Sequence, residues 1–293
     1  MEYALMFFII ILYTFQSFFC KTYSQNYPGR EDLSSPVFTV VSGFVVAVTT
    51  SLFAGKGFSA SWQTVLLSVL CAVSLIVYNT SLIKAAATGP YSVVMVFGIS
   101  GGIILPAISS AVFGVIPSLV KVLCILVILA SVYLISRKGN ETYTNKKVFF
   151  VTCFMLAVAN GVYCSLFDIQ QRFSGAEEKE EMVALTYLFA ASASAVMLAV
   201  KEKKSFFPAF RQNKKSCAFL IVCSLIVALA INLLTLLIST GFDLTLLYTL
   251  ENASVYVLSV VLSCIIFKEK LTKLNVIGCI VLCVALVVMS LYG

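Results

Sequence analysis

The sequence has no histidine and very little charge. Only 11% of its 293 residues are charged, whereas a soluble domain has about 25%. The lack of histidine removes the commonest general base and the commonest metal ligand, so we expect no enzyme activity, no bound metal and no cofactor. Hydrophobic residues make up 60% of the chain and its mean hydropathy is +1.03, which excludes an ordinary soluble fold. The composition predicts an integral membrane protein.

The ten cysteines form no disulfide or metal-binding pattern. Most of them lie inside apolar runs, and no C-x-x-C pair is present. We therefore expect these cysteines to be small buried residues.

Apolar runs long enough to cross a membrane recur along the chain. A crossing needs about 20 helical residues, and ten runs meet that length between charged residues, prolines and glycines. The spans are residues 3–19, 36–54, 63–83, 91–112, 117–136, 147–167, 182–200, 217–238, 244–267 and 274–292. The sequence thus predicts an all-α integral membrane protein of ten transmembrane helices, without a soluble domain.

Basic residues are concentrated in the connections after odd-numbered spans. Sixteen of the 20 lysines and arginines lie there, and three lie in the even-numbered connections. Basic loops stay in the cytoplasm, so both termini are predicted to be non-cytoplasmic, in a plasma-membrane protein. The net charge of +7 then reflects topology, and no nucleic-acid partner is expected. Lys121 is expected to extend to the membrane interface and Asp168 to lie at an external helix end. Glu177 to Glu181 are expected to form a short solvated external loop and the start of span seven.

The chain contains an internal repeat. Ala86 to Gly89 (AATG) corresponds to Ile238 to Gly241 (ISTG) at an offset of 152 residues, and Asn79 corresponds to Asn232 at an offset of 153. The halves 1–140 and 141–293 would each hold five spans, and an odd number inverts the second half relative to the first. Inverted repeats with a site near the membrane midplane are typical of secondary transporters.

The stretch from Phe267 to Ser290 carries a family resemblance. Glu269, Leu271 and Thr272 form a turn between two spans, and Gly278 follows shortly after. This pattern resembles the last two helices of the drug/metabolite transporter superfamily, in its ten-helix EamA-type branch. The resemblance implies a secondary carrier of small polar or amphipathic metabolites, often an exporter. Thr272 also suits a helix N-cap, and Gly278 allows close helix contact.

Glu251 is the strongest candidate for a functional residue. It lies about 12 Å into span nine, counted from Asp243 at 1.5 Å per residue. A carboxylate there costs about 2.5–3.5 kcal/mol on insertion scales, which the apolar residues of this span can offset. Beside Glu251 the same span carries a polar stripe on one face, formed by Thr245, Tyr248, Asn252, Ser259 and Ser263. The carboxylate could bind a cationic substrate, bind protons, or only hold neighbouring helices together.

Further candidates lie in other spans. Those predicted to contribute to a substrate or coupling pathway are Asn79, Tyr78, Asn160 and Asn232. Those predicted to act in helix packing or as a hinge are Gly98, Gly102, Pro106 and Gly278. For each asparagine, a hydrogen bond between helices is an equally good interpretation.

The sequence therefore predicts a secondary transporter that exports a small metabolite by alternating access, with or without proton coupling. No G-x-x-x-x-G-K-[ST] motif is present, so direct ATP coupling is not expected. The alternatives are a flippase for lipid head groups and a non-transporting membrane protein. The expected partners are a small-molecule substrate and membrane lipid, and the chain could be a monomer or a homodimer.

Overall fold

The computed structural model describes residues 2–27, 30–53, 58–89, 91–114, 117–136, 145–173, 178–201, 214–242, 244–267 and 272–292. These residues form ten α-helices and no β-strand. The helices are α1 (Glu2–Asn26), α2 (Glu31–Phe53), α3 (Trp62–Thr88), α4 (Tyr91–Val112), α5 (Leu119–Ser136), α6 (Lys146–Phe173), α7 (Lys179–Lys201), α8 (Lys214–Ser239), α9 (Leu244–Phe267) and α10 (Lys273–Tyr292).

Each helix coincides with one of the ten apolar runs, so the prediction of an all-helical fold is confirmed. Seven helices, α1 to α4 and α6 to α8, contain stretches long and apolar enough to cross a membrane. The apolar stretches of α5 and α10 are shorter, at Leu119–Leu134 and Lys273–Met289. These helices fit a membrane protein.

Large apolar side chains lie on the surface as well as in the core. Phe7 is 60% exposed and Leu52 is 76% exposed, while α5 exposes Leu126 and α10 exposes Ile277. Extended apolar surfaces of this kind are rare on soluble monomers. Lipid is the solvent that suits them, which agrees with the composition.

Four helices start at a side chain that caps them. The oxygen of the capping residue accepts a hydrogen bond from the backbone N–H three residues later, as N-caps do. The capping residues are Ser61 before α3, Ser118 before α5, Asn145 before α6 and Thr272 before α10. The predicted cap at Thr272 is confirmed, and its own N–H donates to Asn275 Oδ1 at 2.8 Å, so the two residues cap each other.

The helices pack into two compact units. The first unit comprises Met1–Ile83 and Ile169–Thr240 and contains most of α1, α2, α3, α7 and α8. The second unit comprises Lys84–Asp168 and Gly241–Gly293 and contains α4, α5, most of α6, α9 and α10. Both units draw helices from each sequence half; the division into halves at 1–140 and 141–293 stays a prediction.

In the first unit, α3 and α7 are parallel. Thr64 near the start of α3 donates to Glu178, and four residues further along both helices Ser68 Oγ donates to Met182 O at 3.3 Å. Consecutive crossings alternate in direction, so two odd-numbered helices should run the same way. The direction of α3 and α7 agrees with alternating crossings.

The helices α2 and α7 approach closely at Gly43. A Cβ atom added to Gly43 would lie 2.8 Å from Ala191 Cβ and 2.8 Å from Tyr187 O. Only glycine fits this contact without a shift of the neighbouring helix. Small residues therefore set the distance between these two helices, as is common in membranes.

In the second unit, α4 and α6 are parallel. Gly101 lies against Ala157, and further along both helices Ser110 hydrogen-bonds to Asp168. The chain must therefore return from the end of α4 to the level where α6 begins. The helix α5 is the one described helix between them, so it runs back across the unit despite its short apolar stretch.

Some charges at helix ends are not where the sequence suggested. Lys121 and Asp168 are buried, with 8% and 3% of their surface exposed, and so are Lys179 and Glu181. Lys179 and Glu181 lie at the start of α7, as expected, but their side chains are buried, so the expectation that they are solvated is wrong; the positions of Lys121 and Asp168 relative to the membrane interface stay predictions. Asp168 and Glu178 each accept a hydrogen bond from a hydroxyl group of a neighbouring helix. A long aliphatic side chain such as that of Lys121 packs well against apolar surface.

Candidate functional site

Glu251 lies in α9 of the second unit, away from both ends of the helix. It lies seven positions after Leu244 and sixteen positions before Phe267. The chain has 33 charged residues. Among those in the described helices, Glu251 alone lies more than five residues from the nearest end of its helix. Its side chain is half-buried. Among the residues that the structure describes, none forms a hydrogen bond or an ion pair with its carboxylate.

Asn252, the residue after Glu251, meets Asn160 of α6 at Gly102 of α4. A Cβ atom added to Gly102 would lie 2.6 Å from Asn160 Nδ2 and 3.1 Å from Asn252 Oδ1. The two amide side chains therefore occupy the space that any other residue at position 102 would need. The structure thus brings together three of the predicted site residues, and we call Gly98, Gly102, Asn160 and Asn252 the amide cluster.

Both amide nitrogens of the amide cluster already donate to backbone carbonyls. Asn160 Nδ2 donates to Gly98 O at 2.9 Å, and Asn252 Nδ2 donates to Tyr248 O at 2.8 Å. Each asparagine keeps a second amide N–H, and Asn160 Oδ1 accepts a hydrogen bond from Cys164 Sγ at 4.0 Å, so both side chains can still donate as well as accept. Tyr248, itself a predicted site residue, is 4% exposed.

Pro106 adds a backbone acceptor to the amide cluster. It lies inside α4, four residues after Gly102, and proline has no N–H. The carbonyl of Gly102 therefore lacks the donor that position 106 would provide in a regular helix. Pro106 thus increases the number of oxygen acceptors beside the two asparagines, whether or not it also acts as a hinge.

The tightest contact between α4 and α6 is at Gly101. A Cβ atom there would lie 1.8 Å from Ala157 O, and one at Gly161 would lie 2.6 Å from Gly101 O. At Gly98, by contrast, the nearest atom would be a Leu156 side-chain carbon at an ordinary 3.5 Å. The sequence predicted a packing role for Gly98 and Gly102 of α4, but the backbones of α4 and α6 meet at Gly101.

Asp168 connects the far ends of α6 and α4. Its Oδ2 accepts a hydrogen bond from Ser110 Oγ at 3.3 Å and a longer one from Ser109 Oγ at 3.5 Å. Asn160, Cys164 and Asp168 are spaced four residues apart, so they lie on one face of α6. Cys164 Sγ lies 4.0 Å from Asn160 Oδ1. Sequence reasoning missed this polar face because it treated Asp168 as an end charge.

The predicted residues of the first unit have other partners. Asn79 is buried and donates to Thr39 Oγ1 at 3.0 Å, which joins α3 to α2. Asn232 donates to Ala228 O in its own helix at 2.7 Å. Tyr78 is half-buried beside Asn79. The contact of Asn79 is of the kind that holds helices together.

The remaining predictions concern packing and metals. Gly278 is buried in α10. Glu269 and Leu271 lie outside the described residues, as do the side chains of Thr245 and Ser263 in the predicted polar stripe. Within the described ranges, no group of three or more histidine, cysteine, aspartate or glutamate side chains could hold a metal ion. The nine cysteines whose side chains the structure describes are free thiols, and six of them are buried.

Comparison with known proteins establishes the fold. No protein-family model matches the chain, and no curated protein matches it. Among solved structures, one crystal structure superposes with a TM-score of 0.71, covering 99% of this chain and 96% of the other. The two sequences are 17% identical. At that identity the similarity shows a shared fold over nearly the whole of both chains and leaves the function to be argued from the site.

Proposed function

We propose that this protein is a secondary transporter that exports a small polar or amphipathic metabolite by alternating access. The observation that carries the proposal is Glu251, a half-buried carboxylate in the middle of an apolar helix without a described partner. An ionisable residue inside a membrane is costly and usually lines a pathway for ions or substrate. The amide cluster next to it adds uncharged polar groups at the same depth.

Ten transmembrane helices in two inverted repeats are part of the proposal. The repeat pairs each helix with the helix five places later. Under this pairing α2 and α3 correspond to α7 and α8, all in the first unit, while α4 and α5 correspond to α9 and α10, all in the second. The parallel pairs α3 with α7 and α4 with α6 also support alternating crossings.

The drug/metabolite transporter superfamily is the family we propose for the chain. The turn around Thr272 supports it, because the predicted cap is formed. The distribution of basic residues supports odd-numbered loops in the cytoplasm and both termini on the opposite face of a plasma membrane. On this proposal the chain lies in a lipid membrane, transports a small molecule across it and is not an enzyme.

Transport into proteoliposomes tests the proposal. The full chain is reconstituted and screened with radiolabelled amines, amino acids, sugars and nucleosides, with and without a proton gradient. We expect at least one class to be transported and Glu251→Gln to reduce its rate by roughly 30-fold, which corresponds to about 2 kcal/mol for the loss of one hydrogen bond to a charged group. Glu180→Gln serves as the control, because Glu180 lies at the start of α7, where its Oε1 is 3.8 Å from Lys179 Nζ.

Two results would count against the proposal. If no compound of any class crosses the membrane faster than in empty vesicles, the chain is not a transporter of small metabolites. If transport and its dependence on the proton gradient are the same in wild type and Glu251→Gln, the carboxylate has no part in transport.

A further inference from the structure

The last residues of α4 are mostly exposed. The structure describes every residue of the segment 107–114, which we call the α4 tail, and Ser110 is the one among them that is buried. Ile108 is 52% exposed and Val112 is 77% exposed. Packing of apolar side chains against other helices therefore contributes little to the position of the α4 tail.

The backbone of α4 can bend where the α4 tail begins. Pro106 has no N–H, so the carbonyl of Gly102 lacks its usual helical donor, and helices commonly bend at proline. Gly114 ends the α4 tail with a φ of +84°, a conformation that favours glycine. Before the bend, α4 is fixed to α6, because no Cβ atom fits between Gly101 and the backbone of Ala157. A bend at Pro106 therefore moves the α4 tail and leaves the rest of α4 in place.

A row of polar side chains follows α6 beneath the α4 tail. Asn160 lies at Gly102 of α4, and Asp168 lies at Ser110, eight residues further along both helices. Cys164 lies midway between Asn160 and Asp168 on the same face of α6, level with the bend in α4. The α4 tail therefore lies along α6 from the level of the amide cluster to Asp168.

Asp168 joins the α4 tail to α6. Its Oδ2 accepts a hydrogen bond from Ser110 Oγ at 3.3 Å and a longer one from Ser109 Oγ at 3.5 Å. Hydrogen bonds to a carboxylate are stronger than those between neutral groups. A segment with little apolar packing is thus held, at its buried residue, by a carboxylate of α6.

We infer that the α4 tail is a gate that controls access to the amide cluster, that it opens by bending at Pro106, and that Asp168 is the latch that holds it closed through Ser109 and Ser110. Opening lets water reach the amide cluster from the membrane face where α4 ends. The inference rests on the proposed function. It makes Asp168 a positioning residue, which acts through the α4 tail and needs no contact with substrate.

Cys164 is a native reporter of this gate. It is 5% exposed and lies one turn before Asp168 on α6, whereas Cys153 on the same helix is fully buried before the level of the bend. A cationic, water-soluble methanethiosulfonate reagent is added to the purified full chain in detergent. The rate of labelling at each cysteine is followed by mass spectrometry of the peptides. Opening of the α4 tail exposes Cys164 alone, while a general loosening of the second unit exposes both thiols.

Four variants separate the latch from the rest of α4. Ser110→Ala removes the shorter hydrogen bond to the carboxylate, and Asp168→Asn removes the charge of the acceptor. Pro106→Ala restores a backbone N–H at the bend and should stiffen it. Ser100→Ala is the matched control, because Ser100 lies before the bend and donates to a carbonyl of its own helix at 2.7 Å.

We expect Cys164 to be labelled about 3- to 20-fold faster in Ser110→Ala than in wild type, because labelling follows the population of the open form and this factor corresponds to one hydrogen bond between membrane helices. Asp168→Asn should also accelerate the labelling of Cys164. Pro106→Ala should slow it, and Ser100→Ala should leave it unchanged.

Three results would overturn the inference. The first is labelling of Cys164 at the wild-type rate in both Ser110→Ala and Asp168→Asn. The second is an equal acceleration in Ser100→Ala, and the third is labelling of Cys153 together with Cys164. Should Asp168→Asn fail to fold, Ser110→Ala decides the question, because it removes one hydroxyl group and keeps the carboxylate.

The proteoliposome screen separates this inference from the proposed function. Alternating access requires closure on each face in turn, so a gate that stays open should slow transport by Ser110→Ala and Asp168→Asn. Transport by wild type, with unchanged labelling of Cys164 in these variants, would overturn the inference and leave the transporter proposal standing. Faster labelling in the variants, without transport of any compound, would support the gate and contradict the transporter.

Discussion

Glu178 in the first unit and Glu251 in the second have the same side chain in opposite surroundings. Glu178 Oε2 accepts hydrogen bonds from Ser61 N at 3.0 Å, from Ser61 Oγ at 2.7 Å and from Thr64 Oγ1 at 2.5 Å. Glu251 has no such donors among the described residues, although it lies deeper in its helix. One carboxylate therefore joins two helices, and the other is available to a ligand.

The surroundings of Glu178 also change its acidity. It lies just before α7, outside the membrane-spanning segment. The hydroxyl of Thr64 lowers the pKa of this carboxyl most, partial burial acts in the opposite direction, and the hydroxyl and N–H of Ser61 lower it further. The net result is a pKa below its ordinary value, so Glu178 stays charged and holds the start of α7 to the start of α3.

The largest expected loss of stability is at the crossing of α4 and α6. A variant there tests whether the backbone contact between these helices, rather than Glu251, holds the second unit together. Gly101→Ala places a Cβ where Ala157 O already lies, so it should lower the free energy of unfolding by about 2–3 kcal/mol. Gly98→Ala is the matched control and should cost less than about 0.5 kcal/mol. Unfolding in detergent micelles measures both, and equal effects would contradict the crossing described above.

A smaller loss is expected at Glu178. Glu178→Gln removes the charge that three donors stabilise, and because the side chain is only half-buried we expect a loss of about 1 kcal/mol. Glu180→Gln, two residues away, should have little effect. If both variants unfold at the same temperature, the contact with Ser61 and Thr64 does not contribute to stability, and the contrast with Glu251 fails.

The pH dependence of this contact has a defined sign. Because the pKa of Glu178 is lower in the folded protein than its ordinary 4.5, its contribution is complete at neutral pH and is lost as the pH falls through the folded value. The difference in unfolding free energy between wild type and Glu178→Gln should therefore shrink as the pH falls below the ordinary pKa of 4.5 and through the lower folded-state pKa. Taking the difference cancels the other carboxylates, and a difference that grows on acidification would contradict the account.

The smallest effect on stability is expected at Glu251. Glu251→Gln removes a carboxylate without a described partner, so the variant should be as stable as wild type or slightly more stable. If Glu251 instead held two helices together, the variant should lose about 0.6–2 kcal/mol, as hydrogen bonds between membrane helices contribute. Unfolding in detergent at neutral pH distinguishes the two roles.

Much of the fold could be predicted from the sequence because membrane crossing requires long apolar runs. The ten runs give the ten helices, and the cap at Thr272 follows from short-range chemistry. Contacts between helices could not be predicted in this way, because they depend on how each helix is rotated about its axis. Gly101 rather than Gly98 therefore makes the backbone contact with α6.

The same limit explains the candidate site. The sequence identified Asn160, Asn252 and Gly102 singly, as polar or small residues in apolar helices, but their proximity depends on the packing of three helices. Asp168 was treated as a charge at a helix end and Glu178 as part of a solvated loop, since their partners are 58 and 117 positions away along the chain at Ser110 and Ser61. Burial of a charge at a helix end depends on such distant hydroxyl groups.

The most direct test of the central claim compares transport by Glu251→Gln and Glu178→Gln in the same proteoliposomes, with the amount of folded protein equalised. The account predicts that Glu251→Gln loses nearly all transport of the compound that wild type carries, while Glu178→Gln transports it at close to the wild-type rate per folded molecule. Full transport by Glu251→Gln, or equal losses in the two variants, would contradict the claim that Glu251 is the functional carboxylate.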